Sequence, residues 1–182
     1  MEWSTVVREI VVCGSKVLRR KCEPVAEVNA ETKGLIQDLF DSLGEADGVG
    51  LAAPQIGVTR RVVIVDTSSQ DPEQLPMALV NPVITRGEGM AIGEEGCLSV
   101  PDLYGDVPRY TNVEVEAVDS DGEPLKFEAK GFLARVIQHE LDHLDGKLFI
   151  DYLSPLKRQL MRGALRRLKK QGETWDKRHL PT

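Results

Sequence analysis

The chain has 182 residues, of which 41% are hydrophobic and 29% charged, and its formal net charge is −6. This length and composition predict one globular domain spanning residues 1–182. No apolar run approaches the length of a membrane span, and the N-terminus has no uninterrupted apolar stretch, so we expect neither a membrane segment nor an export signal. The odd cysteine count of three favours a reducing compartment.

The first predicted element is an amphipathic helix over residues 30–46, with Asn29 as its N-cap. Its apolar face holds Leu35, Ile36, Leu39, Phe40 and Leu43. The glycine-containing segment 47–50 ends it. Residues 62–65 (VVIV) predict a short buried strand, and residues 78–84 predict another, which Pro82 places at an edge or a bend.

The second half of the chain begins with a predicted hairpin. Apolar and acidic residues alternate around 113–117, and Asp121-Gly122 turns this strand into another at 125–129. Residues 132–145 predict a helix, and Pro155 begins a last helix that runs to about Gln171, followed by a polar tail at 172–182. These elements predict an α+β fold, in which short, mostly antiparallel strands surround one central metal-binding helix, with helices towards both ends.

The predicted helix 132–145 contains the segment His139-Glu140-Leu141-Asp142-His143. Residues four apart lie on the same helix face, so both imidazoles can bind one metal ion and Glu140 can reach a water beside it. The alternative is that both histidines make ordinary hydrogen bonds within the helix. A metzincin would have a third histidine at position 149, which is Phe, so the sequence excludes that class.

A catalytic metal ion needs a third protein ligand. A thermolysin-like glutamate on a later helix is poorly supported, because the acids beyond Asp151 are Glu173 and Asp176 in a basic segment. Cys97 is the better candidate, since a thiolate binds zinc or ferrous iron well. Its alternative role is that of a small buried apolar residue, which is the role we assign to Cys13 and Cys22.

Three segments, GVGLAAPQ (48–55), EGCLS (95–99) and QHELDH (138–143), resemble in order and separation the signature motifs of the peptide deformylases. These enzymes remove the formyl group from the N-terminal methionine of new bacterial and organellar proteins. The broader similarity extends from about Ile10 to Gln171. The resemblance therefore implies a hydrolase acting on N-formyl-methionyl nascent peptides, in the bacterial cytoplasm or in an organelle.

The resemblance implies a role for each motif residue. Cys97, His139 and His143 would bind one divalent metal ion, and Glu140 would take a proton from the attacking water and pass it to the leaving amine. The expected native metal is Fe²⁺, with Zn²⁺, Ni²⁺ or Co²⁺ as alternatives in purified samples. Gln55, through its side-chain amide, and Leu98, through its backbone N–H, would stabilise the oxyanion. Gly50 would bind the substrate through its backbone.

The helix face that carries the histidines also predicts a substrate pocket. Its candidate apolar walls, suited to an unbranched methionine side chain, are Val49, Phe132 and Val136. We expect the stem of Arg135 to lie at the pocket edge with its charge in solvent. We also expect Arg109 and Glu95 to pair and hold the cysteine loop, and Asp142 to orient its neighbours.

Two other functions are compatible with the metal motif. A zinc peptidase would cleave peptides that carry no formyl group, and a non-catalytic module would hold its metal with four protein ligands. Charge adds a further hypothesis, because residues 1–153 have a net charge of −13 and residues 154–182 a net charge of +7. We expect the basic C-terminal helix to bind the ribosome, whose surface is largely RNA phosphate, with its own apolar stripe docked on the domain.

Overall fold

The computed structural model describes residues 7–181. The first helix, α1 (Ala30–Gly44), confirms the predicted amphipathic helix, and Asn29 caps it by accepting a hydrogen bond from the Thr32 backbone N–H at 3.1 Å. Its apolar face, which includes Ile36, Leu39 and Leu43, is buried in a cluster with Leu51, Ile64 and other apolar residues further along the chain. Helix α1 therefore covers one side of the domain.

Seven strands follow in the described part of the chain: β1 (Gly50–Ala52), β2 (Val62–Val65), β3 (Met77–Glu88), β4 (Ala91–Cys97), β5 (Val100–Arg109), β6 (Asn112–Val118) and β7 (Pro124–Lys130). Five of them form an antiparallel sheet in the order β1-β2-β3-β6-β7. Strand β3 is the middle strand of this sheet, but its pairing with β2 covers only Met77–Val80, so Pro82 has no partner in β2. Pro82 falls where the β3–β6 register shifts between Val80 and Val83, as expected for an irregular position in the strand.

Strands β4 and β5 form a separate two-stranded antiparallel ribbon. The sequence patterns did not predict these strands, because β4 has exposed and half-exposed residues over most of its length and lacks the apolar alternation of a strand on a core. The ribbon carries Cys97 at the end of β4. A register shift between Glu95 and Cys97 accompanies the tight connection into β5.

Helix α2 (Gly131–Leu144) lies at the centre of the domain and confirms the predicted helix 132–145. Its apolar residues pack in the main core with β2, β3, β6 and β7, and they include Val136, Ile137, Leu141 and Leu144. The observed architecture is the predicted α+β fold of antiparallel strands around a central helix.

The C-terminal region differs from its prediction. Helix α3 (Pro155–Leu160) begins at Pro155, with the Ser154 side chain as its cap, and α4 (Arg162–His179) follows after Met161. The predicted end at Gln171 and the polar tail at 172–182 are therefore wrong. The helix continues because its distal half docks on the N-terminal segment.

Three residues make this docking. Gly172 allows close backbone approach, since a Cβ there would lie 2.2 Å from the Ser15 nitrogen. Asp176 accepts hydrogen bonds from the Ser15 hydroxyl at 2.5 Å and from the Lys16 backbone at 2.9 Å. Trp175 is buried in a cluster with Val11, Val17 and Leu18, and its ring stacks on the His179 ring.

The predicted apolar stripe of this region is only partly buried. Leu153 and Leu168 are in the core, but Leu156 and Leu160 are 68% and 76% exposed. The helix is interrupted at Met161, so the two leucines of α3 do not continue the buried face of α4. Among residues 7–181, no helix is long and apolar enough to cross a membrane.

Candidate metal centre and active site

Three metal-ligand side chains meet where α2 faces the β4–β5 ribbon. His139 and His143 are one turn apart on α2, and Cys97 approaches from the end of β4. Their ligand atoms all lie within 4.8 Å of one another, and the Cys97 Sγ is 3.3 Å from the His143 Nε2. The predicted third ligand is therefore beside the two predicted histidines, and the cluster fits a divalent metal ion.

A buried carboxylate orients the first histidine. Glu95 accepts a hydrogen bond from the His139 Nδ1 at 2.9 Å, which leaves the other ring nitrogen, Nε2, to face the cluster. It also accepts two hydrogen bonds from Arg109, at 2.8 and 3.0 Å, which confirms the predicted pair. Burial opposes the charge of Glu95, but the hydrogen bonds from His139 and Arg109 outweigh it and lower its pKa to about 2.

Arg109 extends this network along the helix. Its Nη1 donates to Asp142 at 2.6 Å, and Asp142 also accepts a hydrogen bond from the Tyr152 hydroxyl at 3.1 Å. The guanidinium of Arg109 lies over the Tyr152 ring, 4.9 Å from its centroid. Asp142 therefore orients its neighbours as predicted, and the ribbon and α2 are joined by charged contacts.

The prediction for Arg135 is wrong. Its side chain is only 15% exposed, and the guanidinium donates a hydrogen bond to Glu95 at 2.9 Å instead of reaching solvent. The cause is tertiary, because β4 and β5 cover this face of α2 and place acceptors around the charge. Arg135 does line the cavity beside the ligand cluster.

Glu140 points into the cavity beside the ligand cluster and is 4% exposed. Its Oε2 has no hydrogen-bond partner among residues 7–181, and neither does the Nδ1 of His143. Burial raises the pKa of Glu140 to about 7. A carboxyl group that is buried without a partner and titrates near neutrality is suited to exchange protons with a substrate or a water, and a bound cation would compensate its charge.

Gly50 and Gln55 come from the glycine-rich segment. A Cβ on Gly50 would lie 2.5 Å from the Glu140 Oε1, so any other residue here would force the Glu140 side chain to shift. The Oε1 of Gln55 accepts a hydrogen bond from the Ala52 backbone at 2.8 Å. This contact turns the Gln55 amide nitrogen towards Cys97, whose Sγ is 3.6 Å away.

Ser99 is a site residue that the sequence did not single out, although it lies inside the cysteine motif. Its hydroxyl accepts a hydrogen bond from the Gln55 Nε2 at 3.2 Å, and its side chain is fully buried. Leu98 precedes it in the two-residue connection between Cys97 and Val100, which pair across the ribbon. Its backbone therefore lies directly beside the ligand cluster.

A cavity of about 440 Å³ contains the predicted site residues except His143, which lies deeper. Its apolar wall includes Val49, Phe132 and Val136, as predicted, with Val136 buried and Phe132 47% exposed at the mouth. Other lining residues come from β5 and were not predicted. They are Val100, Pro101, Asp102, Leu103 and Tyr104.

The comparisons with known proteins agree with this geometry. The family model described as polypeptide deformylase matches residues 7–159. The chain belongs to this family. A protein named peptide deformylase 2, from Vibrio vulnificus, is 50% identical over 168 residues, which cover 92% of this chain and 96% of that protein. The chain is therefore a hydrolase of the peptide deformylase type, and the family acts on formylated nascent peptides.

Solved structures of the family share the fold. A peptide deformylase from Legionella pneumophila has a TM-score of 0.84 and 42% identity, covering 91% of this chain and 97% of that one. A class I type b peptide deformylase from Acinetobacter baumannii, solved with Met-Ala-Ser bound, has a TM-score of 0.77 and 35% identity. That match covers 82% of this chain and 99% of the other.

Proposed function

We propose that the chain hydrolyses the N-formyl group of formyl-methionyl nascent peptides in a metal-dependent reaction and releases formate. The observation that carries this proposal is a three-residue ligand cluster directly beside a buried carboxyl group without a partner, Glu140, in one cavity. A divalent cation held by Cys97, His139 and His143 would lower the pKa of water to about 7 and polarise the formyl carbonyl.

The chain's own residues supply the remaining chemistry. Glu140 takes the proton of the attacking water and transfers it to the departing nitrogen, a role for which its raised pKa is suited. The Gln55 amide and the Leu98 backbone N–H donate hydrogen bonds to the formyl oxygen, on which the negative charge develops when water attacks the formyl carbon. The Gly50 backbone binds the peptide at the entrance of the reaction centre. Loss of one oxyanion donor costs about 10²–10³ in rate in other hydrolases, so Gln55 is a substantial contributor.

The apolar wall selects the first residue of the substrate. Val136 is buried in the cavity wall, Val49 is half-buried and Phe132 is exposed, and this apolar lining suits the unbranched methionine side chain. The deformylase from Acinetobacter baumannii with Met-Ala-Ser bound supports a methionine at this place. The chain should therefore prefer formyl-Met peptides over peptides that begin with a β-branched or charged residue.

We infer Fe²⁺ as the native metal, with Zn²⁺, Ni²⁺ and Co²⁺ as ions that the same ligands accept. One thiolate and two imidazoles suit all four, and affinity alone does not favour iron. Anaerobic purification followed by metal analysis tests this inference. We expect ferrous iron together with rapid loss of activity in peroxide, and full peroxide resistance of an iron-containing sample would contradict it.

The decisive test of the proposed function is formate release from formyl-Met and acetyl-Met peptides. We expect hydrolysis of the formyl peptide and a much slower reaction of the acetyl peptide, whose extra methyl group must enter the space between the ligand cluster and Gln55. Glu140→Gln should abolish formate release while metal content stays constant, and the exposed Glu27→Gln is the matched control. Cys97→Ser should weaken metal binding or change the metal preference, because a hydroxyl is a much poorer ligand than a thiolate.

Several results would contradict the proposal. A zinc peptidase would cleave peptides without a formyl group at comparable rates. A non-catalytic module would release no formate at all with any of the four metals. Loss of metal in Glu140→Gln would show that this residue is a ligand, and full activity of Cys97→Ser with the native metal would remove Cys97 from the ligand set.

We also propose that the basic surface of α3 and α4 binds ribosomal RNA, so that the enzyme works in the bacterial cytoplasm beside emerging chains. Seven basic residues on these helices are exposed, and residues 154–172 contain no acid. They are Lys157, Arg158, Arg162, Arg166, Arg167, Lys169 and Lys170. The exposed leucines of α3, Leu156 and Leu160, lie on the same segment and add an apolar contact surface.

Cosedimentation with ribosomes at low and raised salt tests this surface. Truncation of α4 is unsuitable, because Gly172, Trp175 and Asp176 dock on the N-terminal segment. Glutamate substitutions at Arg162, Arg166 and Lys170 should weaken binding and leave hydrolysis of a short peptide unchanged. The control has the same charge change at three exposed residues elsewhere, which are Arg20, Lys21 and Lys147. Equal binding by both triple variants would contradict the proposal.

A further inference from the structure

Arg135 is held between α2 and the β4–β5 ribbon by contacts to both strands of the ribbon. Its guanidinium donates to the backbone carbonyls of Ala91 at 2.9 Å and Gly93 at 3.4 Å in β4, and of Val107 at 2.8 Å in β5. It also donates to the Glu95 carboxylate at 2.9 Å. One side chain of α2 thus bonds three backbone positions and one side chain of the ribbon.

The ribbon is shaped to accept this guanidinium. A Cβ at Gly93 would lie 3.0 Å from the Arg135 Cζ and 3.0 Å from its Nη2, so the missing side chain provides the space in which the planar group lies. Val107 pairs with Gly93 across the ribbon, which brings the third carbonyl to the same place. The planar fork of arginine suits such a set of acceptors better than the point charge of lysine.

This contact matters because the ligand cluster is divided between two elements. His139 and His143 belong to α2, whereas Cys97 belongs to the ribbon. A two-stranded ribbon has little stability of its own, and this one is not part of the five-stranded sheet. The distance between the cysteine and the histidines therefore depends on the contacts that hold the ribbon on the helix.

Other residues of α2 also contact the ribbon or the residue that follows it, including His139, which is hydrogen-bonded to Glu95 at 2.9 Å. The Gln138 side chain exchanges hydrogen bonds with the Tyr110 backbone, at 3.0 and 2.9 Å, and Asp142 accepts from Arg109. Arg135 lies one turn before His139, at the end of the interface furthest from His143. It also lines the cavity beside the ligand cluster, which neither Gln138 nor Asp142 does.

We propose that Arg135 is a positioning residue that fixes the β4–β5 ribbon, and with it Cys97, against the histidines of α2, and that its stem completes the wall of the substrate pocket. This inference rests on the proposed function for its link to substrate, and on the ligand cluster alone for its link to the metal. Removal of the guanidinium loosens the ribbon without removing a ligand or a wall.

The test compares Arg135→Met, which keeps an unbranched stem, with Arg135→Lys, which keeps the charge. The surface variant Arg60→Met, which breaks an exposed pair with Glu23, is the control. The proteins are loaded with Ni²⁺, and the rate of nickel transfer to a chelator is measured, together with thermal unfolding of the metal-free forms. We expect about 10-fold faster nickel release from Arg135→Met, the lower end of the effect of residues that support metal ligands. Arg135→Lys should be intermediate, and Arg60→Met should match the parent.

Gly93→Ala perturbs the same contact from the ribbon side. Gly93→Ala alone should also speed nickel release. Combined with Arg135→Met, it should increase the release rate little further, because the guanidinium that it displaces is then absent. Activity provides the second measurement. We expect the KM for a formyl-Met peptide to change less than kcat in Arg135→Met, because the stem that contacts the substrate is retained while the reaction centre is displaced.

Nickel release from Arg135→Met at the parent rate would overturn the proposal. So would a lower unfolding temperature with an unchanged release rate, since Arg135 would then support only the fold. If Arg135→Met does not fold, Arg135→Lys and Gly93→Ala decide by the same measurement. Failure of the parent to release formate would contradict the proposed function, whereas the nickel release rates would still decide the positioning role.

Discussion

Replacement of Glu95 by glutamine removes one negative charge at the centre of the network that supports the metal ligands. The carboxylate accepts four hydrogen bonds, two from Arg109, one from Arg135 and one from the His139 Nδ1. A carboxylate has about four lone-pair positions, so this one is used to capacity. Glutamine has nearly the same shape, and the change therefore tests charge and acceptor number with little change of volume.

The expected magnitude follows from the bonds that glutamine cannot make. Its carbonyl oxygen can accept two of the four hydrogen bonds, and its amide group faces donors. Two charge-assisted bonds at about 1.5–3 kcal/mol each give a loss of about 3–6 kcal/mol. Removal of one partner of a buried ion pair typically costs about 3–5 kcal/mol, in the same range. We therefore expect the free energy of unfolding to fall by about 3–5 kcal/mol.

The pKa of Glu95 gives a second estimate and a dependence on pH. Its pKa in the folded protein is about 2, below the ordinary value of 4.5, so the folded state favours the charged form. A depression of this size corresponds to about 3 kcal/mol. This stabilisation is fully present above pH 4.5 and is lost as the pH falls towards 2. The difference in the free energy of unfolding between Glu95→Gln and the parent should therefore be smaller in acid than at neutral pH.

Urea unfolding of the metal-free proteins at neutral pH and near pH 3 measures both effects. The control is Glu116→Gln, which breaks a surface ion pair with Lys126 and should cost less than about 1 kcal/mol. A loss below about 1 kcal/mol in Glu95→Gln at neutral pH would refute the argument. It would mean that water replaces the missing acceptor, or that Arg109 rearranges and donates to another acceptor.

Two glycines provide further predictions. Gly50→Ala should lower kcat by at least about 10-fold with stability nearly unchanged, because the new Cβ displaces the Glu140 carboxylate, and a small misplacement of a catalytic group is costly. Steady-state kinetics on a formyl-Met peptide measure it, and a parent-like kcat would contradict the contact. Gly172→Ala should destabilise the chain by about 1–3 kcal/mol, because its Cβ collides with the Ser15 backbone. Thermal unfolding tests this against Gly34→Ala, which meets nothing within 4 Å and should stabilise α1 by up to about 1 kcal/mol.

The sequence alone determined the features that depend on neighbours along the chain. The four-residue spacing of His139 and His143 places both rings on one face of a helix, whatever surrounds it. The Asn29 cap and the proline that begins α3 are likewise local. The three motifs also predicted the family, and Cys97 as third ligand followed from chemistry, since a thiolate was the best candidate left for the vacant position.

Only the tertiary structure decided how the separate segments meet. The β4–β5 ribbon lacks an apolar alternation because polar contacts with α2 hold it, and the burial of the Arg135 charge follows from that packing. Helix α4 continues to His179 because Gly172 and Trp175 dock on the N-terminal segment, more than 150 residues earlier. The physical reason is common to these cases. Local spacing sets which face of an element a residue occupies, but burial and charge pairing depend on what the fold places opposite that face.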